Sequence, residues 1–383
     1  MIDFSPNQPN QLLLNPRLSI AEKNILNELK HVFDKKYSDS GYFLIASSGS
    51  SQKSDESVKL IALHVDKILN SARRFNQYFI TSGDEHWGLV LPEFHVAGLS
   101  IRARAFLSGA KVFEREWKTD QLTDWIEENK ICYISMVPAQ IYDLAQKQIR
   151  APKRLKKVFV GASHLATNLQ AQILKLNWPF VETYGMTETS SMIAFKENSY
   201  FTVLPGVEIK TNLDLLAIRC NSLMSASLQK SADQIIINEL QENSWFQTND
   251  HVEILRSNDE LCFRFLGRSS DYIKILGEGV SLVELRSRFA DLMFSKNQNV
   301  FQFELSALND DRAGFKLVLV VENALGLAQA KSLMELFNSS CRPYEKIQQC
   351  VVVGQIPRTD LGKLKTEELN HILIEELSKG SNG

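Results

Sequence analysis

Tyr133-Ile134-Ser135-Met136-Val137 runs straight into a helical stretch from Ala139 to Gln148, and the pairing repeats at once: Lys157-Val158-Phe159-Val160, then Leu169 to Leu176. Short apolar runs of this length, each followed by a 3.6-residue periodicity, read as strand and helix in alternation. Upstream the pattern is the same. Leu89-Val90-Leu91 precedes a helix from Leu99 to Leu107, and Lys111-Val112-Phe113 precedes Asp120 to Glu128, with Thr119 or Asp120 as its cap. Alternation sustained this long predicts an α/β fold of layered sheets with largely parallel strands. Further out, Ser19 caps a first helix to Lys35, and Tyr42-Phe43-Leu44-Ile45-Ala46 forms a strand that empties into Ser47-Ser48-Gly49-Ser50-Ser51. A second helix is expected from Lys59 to Phe79.

From about residue 200 short strands and turns dominate, including Val207-Glu208-Ile209, Leu215–Ile218 and Ile235–Ile237. Beyond Arg268 a helix from Leu282, strands Leu317–Val321 and Val351–Val353, and a helix from Gly326 to Phe337 make a compact α+β unit. The chain of 383 residues is therefore divided into a large domain, 1–267, and a small one, 268–383.

Composition narrows the function classes. Apolar residues are 44% and charged residues 23%, and 43 Lys plus Arg face 45 Asp plus Glu, so no net positive field points to nucleic acid. No apolar run approaches the ~20 residues of a membrane helix. The polar start, without a basic flank before Leu12-Leu13-Leu14, does not read as a secretory signal. Cys132, Cys220, Cys262, Cys341 and Cys350 are scattered without a C-x-x-C, which suits thiols in a reducing cytoplasm and argues against zinc.

Five segments carry chemistry. Ser47 to Ser51 offers hydroxyls and backbone N–H groups for phosphate oxygens, and Gly49 permits close approach; a flexible surface loop is the bland account. Glu182-Thr183-Tyr184-Gly185-Met186-Thr187-Glu188-Thr189 sets a hydroxyl beside a carboxylate, suited to a phosphate oxygen and Mg²⁺, or else forms a capping box that opens a helix. Asp250, in Thr248-Asn249-Asp250, ends a strand where a carboxylate can hold a ribose diol, though an Asn-Asp turn needs no ligand. Phe265 to Val280 reads as a β-hairpin turning on Gly277-Glu278-Gly279. In Ile356-Pro357-Arg358-Thr359-Asp360-Leu361-Gly362-Lys363, Pro and Gly frame a loop presenting Lys363, a solvated charge or a mobile cation for a phosphate.

Taken in order, these segments resemble the acyl-adenylate-forming superfamily of acyl-CoA ligases, luciferases and peptide-synthetase adenylation domains. The carriers are Tyr184-Gly185-Met186-Thr187-Glu188, Thr248-Asn249-Asp250, Gly267-Arg268-Ser269-Ser270-Asp271-Tyr272-Ile273-Lys274 and Pro357-Arg358-Thr359-Asp360-Leu361-Gly362-Lys363. Leu91-Pro92-Glu93-Phe94-His95-Val96-Ala97-Gly98-Leu99, Ser135 to Gln140 and the run after Tyr184 are similar to o-succinylbenzoate–CoA ligases, which activate an aryl dicarboxylic acid in menaquinone synthesis. Leu14-Asn15-Pro16-Arg17 before a single helix looks like a short form, lacking the N-terminal subdomain of longer members.

The resemblance implies an ATP-dependent acid–CoA ligase, with Mg²⁺ as cofactor, coenzyme A as co-substrate and a small C-terminal domain that rotates about a hinge. It implies Thr187 on the α-phosphate, Glu188 on Mg²⁺, and Ser47, Ser48, Gly49, Ser50 and Ser51 on the outer phosphates. Gly161, Ala162 and Ser163 would line the adenine with Glu182, Thr183 and Tyr184, beside Gly185 and Met186. Asp250 and Arg268 would hold the ribose. His95, with Gly98 and Leu99, would border the acid, and Lys363 would bridge carboxylate and phosphate. Ser270 and Asp271 would mark the hinge, and Lys274, Gly277, Glu278 and Gly279 would serve the thioester step. A cytoplasmic, small-molecule enzyme is implied, without nucleic acid or a membrane span, and a homodimer stays open. Two alternatives stand: a ligase for another aryl or acyl acid, and a nucleotide-binding homologue without turnover.

One segment departs from the family. The usual Thr-Gly-x-Pro-Lys continuation is replaced by Gln52-Lys53-Ser54-Asp55-Glu56-Ser57-Val58-Lys59, so Lys59 or Lys53 must supply the loop lysine. Asp55 and Glu56 add negative charge where phosphate is expected. Asn249 for Gly is mild, since Asn also tolerates left-handed turns.

Overall fold

The computed structural model describes residues 2–38, 40–48, 58–161, 165, 167–196, 200–231, 234–257, 260–269, 271–296, 302–322, 326–359 and 364–380. The chain divides into two compact units. Unit 1 comprises Met1–His164, Gln172–Thr248 and Glu253–Arg264; unit 2 comprises Leu165–Ala171, Asn249–Val252 and Phe265–Gly383.

Unit 1 opens with β1 (Gln11–Leu13) and α1 (Ile20–Lys36). Ser19 caps α1 as expected: Glu22 N–H donates to its hydroxyl at 3.2 Å, and Ser19 N–H donates to the Glu22 carboxylate at 2.8 Å. β2 (Tyr42–Ser48) and β3 (Val58–His64) pair antiparallel from Tyr42↔His64 to Ser48↔Val58. The strand at Val58–His64 corrects the expected helix from Lys59, because α2 runs only from Val65 to Phe79. Leu60, Ile61, Ala62 and Leu63 are all fully buried on a strand flanked on both sides, which an apolar run alone does not distinguish from a buried helix.

The predicted alternation follows: β4 (His86–Leu89), α3 (Val96–Ser108), β5 (Val112–Glu114), α4 (Leu122–Glu128), β6 (Ile131–Met136), α5 (Pro138–Gln146), β7 (Lys157–Val160), α6 (Thr167–Lys175) and β8 (Phe180–Met186). The ladders β4–β5, β4–β6, β6–β7 and β7–β8 are parallel. α4 is not capped by Thr119 or Asp120; Gln121, at φ +57°, precedes it. Thr119 is engaged elsewhere, its carbonyl accepting from Leu122 N–H at 3.2 Å and its hydroxyl from Lys147 Nζ at 2.6 Å. After β8 the direction reverses through β9 (Ser191–Lys196) and β10 (Phe201–Val203), then β11 (Glu208–Asn212), β12 (Leu215–Arg219), β13 (Ala226–Ser231), β14 (Gln234–Glu239), β15 (Phe246–Ser257) and β16 (Glu260–Arg268). Two sheets result, in the orders β1-β2-β3-β13-β14 and β11-β12-β15-β16-β10-β9-β8-β7-β6-β4-β5. Phe43, Phe75, Trp87 and Leu99 are fully buried, Phe43 and Leu99 in one core cluster and Phe75 against Trp87 with ring centroids 5.6 Å apart.

Unit 2 carries the hairpin β17 (Tyr272–Ile275) and β18 (Glu278–Ser281), then α7 (Leu282–Ser295), β19 (Phe303–Asp310), β20 (Gly314–Glu322), α8 (Leu327–Ser339), β21 (Ile347–Val353) and α9 (Thr366–Gly380). The hairpin does not turn on Gly277-Glu278-Gly279. Its turn is Leu276-Gly277, with φ of +53° and +87°, the two-residue geometry that matches strand twist. Glu278 and Gly279 stand in β18 itself. The period of two along β20 splits its side chains: Leu317, Leu319 and Val321 pack with Phe289 of α7 and Phe337 of α8, whereas Val318 and Val320 pack with Leu369 and Leu373 of α9. All five cysteines are free. Among the described residues no helix is long and apolar enough to cross a membrane.

Candidate active site

The two sequence segments expected to meet a nucleotide are joined in unit 1 by one ion pair. Ser47 and Ser48 close β2, and the ladder sets Ser47 opposite Lys59 on β3. Lys59 Nζ lies 3.0 Å from Glu188 Oε1, with the two side chains 26% and 15% exposed. The hairpin register thus presents a cation to the carboxylate of the Thr-Glu turn. Gly49, Ser50 and Ser51, with Lys53, Asp55 and Glu56, lie outside the described residues.

Glu188 owes its position to the end of β8. Thr187–Thr189 is a single 3-10 turn and opens no α-helix, because Ser190 and Ser191 adopt φ of +54° and +95° and divert the chain into β9. Met186 N–H donates to the Thr189 hydroxyl at 3.0 Å, and Met224 N–H donates to the Glu188 carbonyl at 2.7 Å. Gly185 is required here: a Cβ would come within 2.2 Å of the Ser191 carbonyl oxygen. Thr187 is half-buried in this turn.

Around it, Thr183 Oγ1 donates to the Val160 carbonyl at 3.2 Å, and a Cβ on Gly161 would meet that hydroxyl at 2.8 Å. Glu182 is buried and pairs with Lys196 Nζ at 3.1 Å, across the Glu182↔Lys196 register of β8 and β9. Tyr184 packs edge-on against Phe263, with ring centroids 5.0 Å apart. Ala162 and Ser163 lie outside the described residues.

His95 precedes α3 at φ −104°, with its ring 4.6 Å from that of Phe94. Gly98 lets the first turn of α3 press onto the preceding loop, since a Cβ would sit 2.3 Å from the Pro92 carbonyl oxygen; Leu99 is fully buried.

Arg104, which the sequence motifs did not single out, stands on the same helix and is 3% exposed. Its guanidinium lies 3.7 Å from the centroid of Phe75 and donates to Ser191 Oγ at 3.4 Å, while Ser191 Oγ donates to Ser100 Oγ at 3.2 Å. Its Nε has no hydrogen-bond partner among the described residues. Burial pushes its pKa down to about 9, and no described carboxylate opposes the shift. A buried cation with no anion against it among the described residues, hydrogen-bonded to Ser191 just past the Thr187–Thr189 turn, suits a negatively charged ligand group. The one sequence signal was an arginine four residues after Ser100 on an otherwise apolar helix face.

In unit 2, Asp250 is 4% exposed and lies 3.3 Å from Arg268 Nε. Asp271 receives Arg286 NH1 at 2.7 Å. Lys274 faces Gly279 across the hairpin and is exposed. A Cβ on Gly279 would meet the Tyr272 hydroxyl at 2.4 Å, and Gly277 carries the positive φ of the turn. Ser270 and Lys363 lie outside the described residues.

The two sheets, with the β2–β3 hairpin facing the Thr-Glu turn, make a fold shared with known proteins. Residues 35–211 match the family model described as AMP-binding enzyme. It is 24% identical over 311 residues to a 2-succinylbenzoate–CoA ligase of Staphylococcus epidermidis, covering 77% of this chain and 62% of the relative. A Staphylococcus aureus ligase of the same name is 24% identical over 314 residues, with 75% and 58% covered. The chain therefore spans about three fifths of the length of these relatives. Bacillus subtilis o-succinylbenzoate CoA synthetase (MenE), in complex with the acyl-adenylate intermediate OSB-AMP, shares the fold at a TM-score of 0.71 and 19% identity, over 85% of this chain and 68% of that one. The same synthetase with ATP and magnesium gives 0.69 at 18% identity, over 85% and 69%.

Proposed function

We propose that this protein is an ATP-dependent acid–CoA ligase and that its acid is o-succinylbenzoate. The observation that carries the reading is the Lys59–Glu188 ion pair, which ties the strand leaving the Ser/Gly loop to the Thr-Glu turn. Arg104 supports the choice of acid. A dicarboxylic substrate presents one carboxylate to react and a second that needs a buried cation, and Arg104 is one without an anion.

In the first half-reaction a carboxylate oxygen attacks the α-phosphorus of ATP, and the bond to pyrophosphate breaks. Two such charges ~4 Å apart repel by about 4 kcal/mol at an effective dielectric of 20, about three decades in rate if uncompensated. Lys363 is assigned that compensation, with Thr187 donating to an α-phosphate oxygen. In the second half-reaction the coenzyme A thiolate attacks the acyl carbon and AMP leaves. Residues 268–383 are assigned as the domain that rotates at Ser270, withdrawing Lys363 and bringing in Lys274 and Gly277 to Gly279.

Mg²⁺ fits the residues present as a substrate-borne ion. Among the described residues no cluster of three or more His, Cys, Asp or Glu stands ready to cage a metal, while Glu188 offers one partly exposed carboxylate. That matches a cation held by one carboxylate plus phosphate oxygens. When bound, it supplies Lewis-acid screening of phosphate charge. Gly161 and Glu182 to Tyr184 are assigned to adenine, Asp250 and Arg268 to ribose, and His95, Gly98 and Leu99 to the acid.

A panel of aryl and acyl acids with ATP, Mg²⁺ and coenzyme A, read by pyrophosphate release, tests this. o-Succinylbenzoate should release pyrophosphate and AMP and yield a thioester. Turnover only with other acids would remove the substrate assignment, and binding of ATP without release for any acid would overturn the ligase.

A further inference from the structure

Unit 2 holds a line of alternating charge that the proposed chemistry does not use. Arg286, in the second turn of α7, donates to Asp271 Oδ1 at 2.7 Å and lies 2.5 Å from Glu304 Oε1 on β19. The other Glu304 oxygen takes Arg358 NH2 at 3.1 Å. Glu304 is 6% exposed, and its neighbour Leu305 receives Arg286 NH2 on its carbonyl at 2.9 Å. Burial pulls the Arg286 pKa down, but Glu304 and Asp271 outweigh it and hold the pKa above the ordinary arginine value.

The two ends of this line matter. Asp271 directly follows Ser270, and its carbonyl accepts Leu282 N–H at 2.8 Å where α7 begins. Arg358 stands at the base of the loop that contains Lys363. That base is pinched shut: Arg358 and Leu364 form an antiparallel bridge, and Lys365 N–H donates to the Pro357 carbonyl at 3.0 Å. Ile356 N–H is fixed to Glu322 Oε1 at 2.8 Å on the entering side. A surface strap would need no buried carboxylate shared between two arginines. Here the sharing leaves every link dependent on the next, which makes the line a rigid strut between two functional ends.

We infer that Asp271, Arg286, Glu304 and Arg358 form a positioning strut that fixes the base of the Lys363 loop relative to the hinge-side end of unit 2. The inference rests on the ligase reading for its catalytic consequence. Arg286 and Glu304 are positioning residues, acting through Arg358, and touch no substrate. Rotation of the unit would then carry the Arg358–Leu364 base with the rest of unit 2, and adenylation, which is assigned to Lys363, would feel the strut more than thioester formation does.

Glu304→Gln in the full chain tests it, with Arg358→Gln as the milder second variant, since Arg358 is 36% exposed. Circular dichroism and melting establish that each is folded. Pyrophosphate release should fall about tenfold with the KM for ATP unchanged, while thioester formation from supplied acyl-adenylate stays within about twofold. Limited trypsin digestion should cut after Lys363 about tenfold faster than in the wild type, with the other sites that variant and wild type share unchanged. Equal loss of both half-reactions in a folded variant, or an unchanged cutting rate after Lys363, overturns the strut. If the wild-type protein releases no pyrophosphate with any acid, the ligase reading fails by itself, and the digestion then decides the strut alone.

Discussion

Arg104 on α3, buried, and Arg286 on α7, half-buried, hold the same guanidinium under opposite terms. Arg104 sits over a Phe ring with a hydroxyl as its polar contact, and burial drives its pKa down. Arg286 is flanked by two carboxylates and its pKa is held up. A satisfied buried charge belongs to the architecture, because removing it strands its partners. An unsatisfied one is a standing cost to the empty fold, offset when an anion arrives. The contrast sets an arginine with no carboxylate against it among the described residues beside one held by two.

One substitution made in both places gives the largest separation. Arg286→Met should lower the unfolding free energy by about 3 kcal/mol in a denaturant titration, since Asp271 and Glu304 lose their shared cation. A loss under about 1 kcal/mol would break the comparison on its structural side. Arg104→Met should cost no stability, because an apolar chain replaces a buried charge. It should instead raise the KM for o-succinylbenzoate about tenfold or more while a monocarboxylic aryl acid is unaffected. Equal effects on both acids would remove the assigned role.

The smallest effect is one of pH. With its folded pKa near 9, Arg104 releases its proton in the native state before the unfolded chain does. The unfolded state then binds more protons, so stability should rise above about pH 9 in the wild type relative to Arg104→Met. Affinity for the dicarboxylic acid should decline over the same range. Melting and binding curves of both proteins from pH 8 to about 11 read this as a difference, which cancels other titrating groups.

The sequence alone made the β4-to-β8 alternation legible, because each buried parallel strand is a short apolar run and each helix keeps its period. The capping box at Ser19 was legible too, being local. What failed was whatever a partner decides. Leu60 to Leu63 became a strand because β2 and β13 flank it. Leu276 entered a left-handed turn because the hairpin's length demanded it. At the site, the motif residues could be named from their order. Arg104 could not, since a cation on an apolar helix face acquires meaning only when Phe75, Ser100 and Ser191 close around it. The partner of Lys59 was likewise invisible in one dimension; the β2–β3 register is what brings Lys59 to Glu188.

That register has an evolutionary reading. Because Ser47 and Lys59 face each other across paired strands, the position of the lysine is set by the ladder and is independent of how many residues join the strands. Doubling a flexible connection adds only about 0.6 kcal/mol of closure cost. The segment between Ser48 and Val58 can therefore gain, lose or exchange residues, as its departure from the usual Thr-Gly-x-Pro-Lys pattern illustrates, while the Lys59–Glu188 pair stays in place. Insertions made there by design should leave the Lys59–Glu188 ion pair intact.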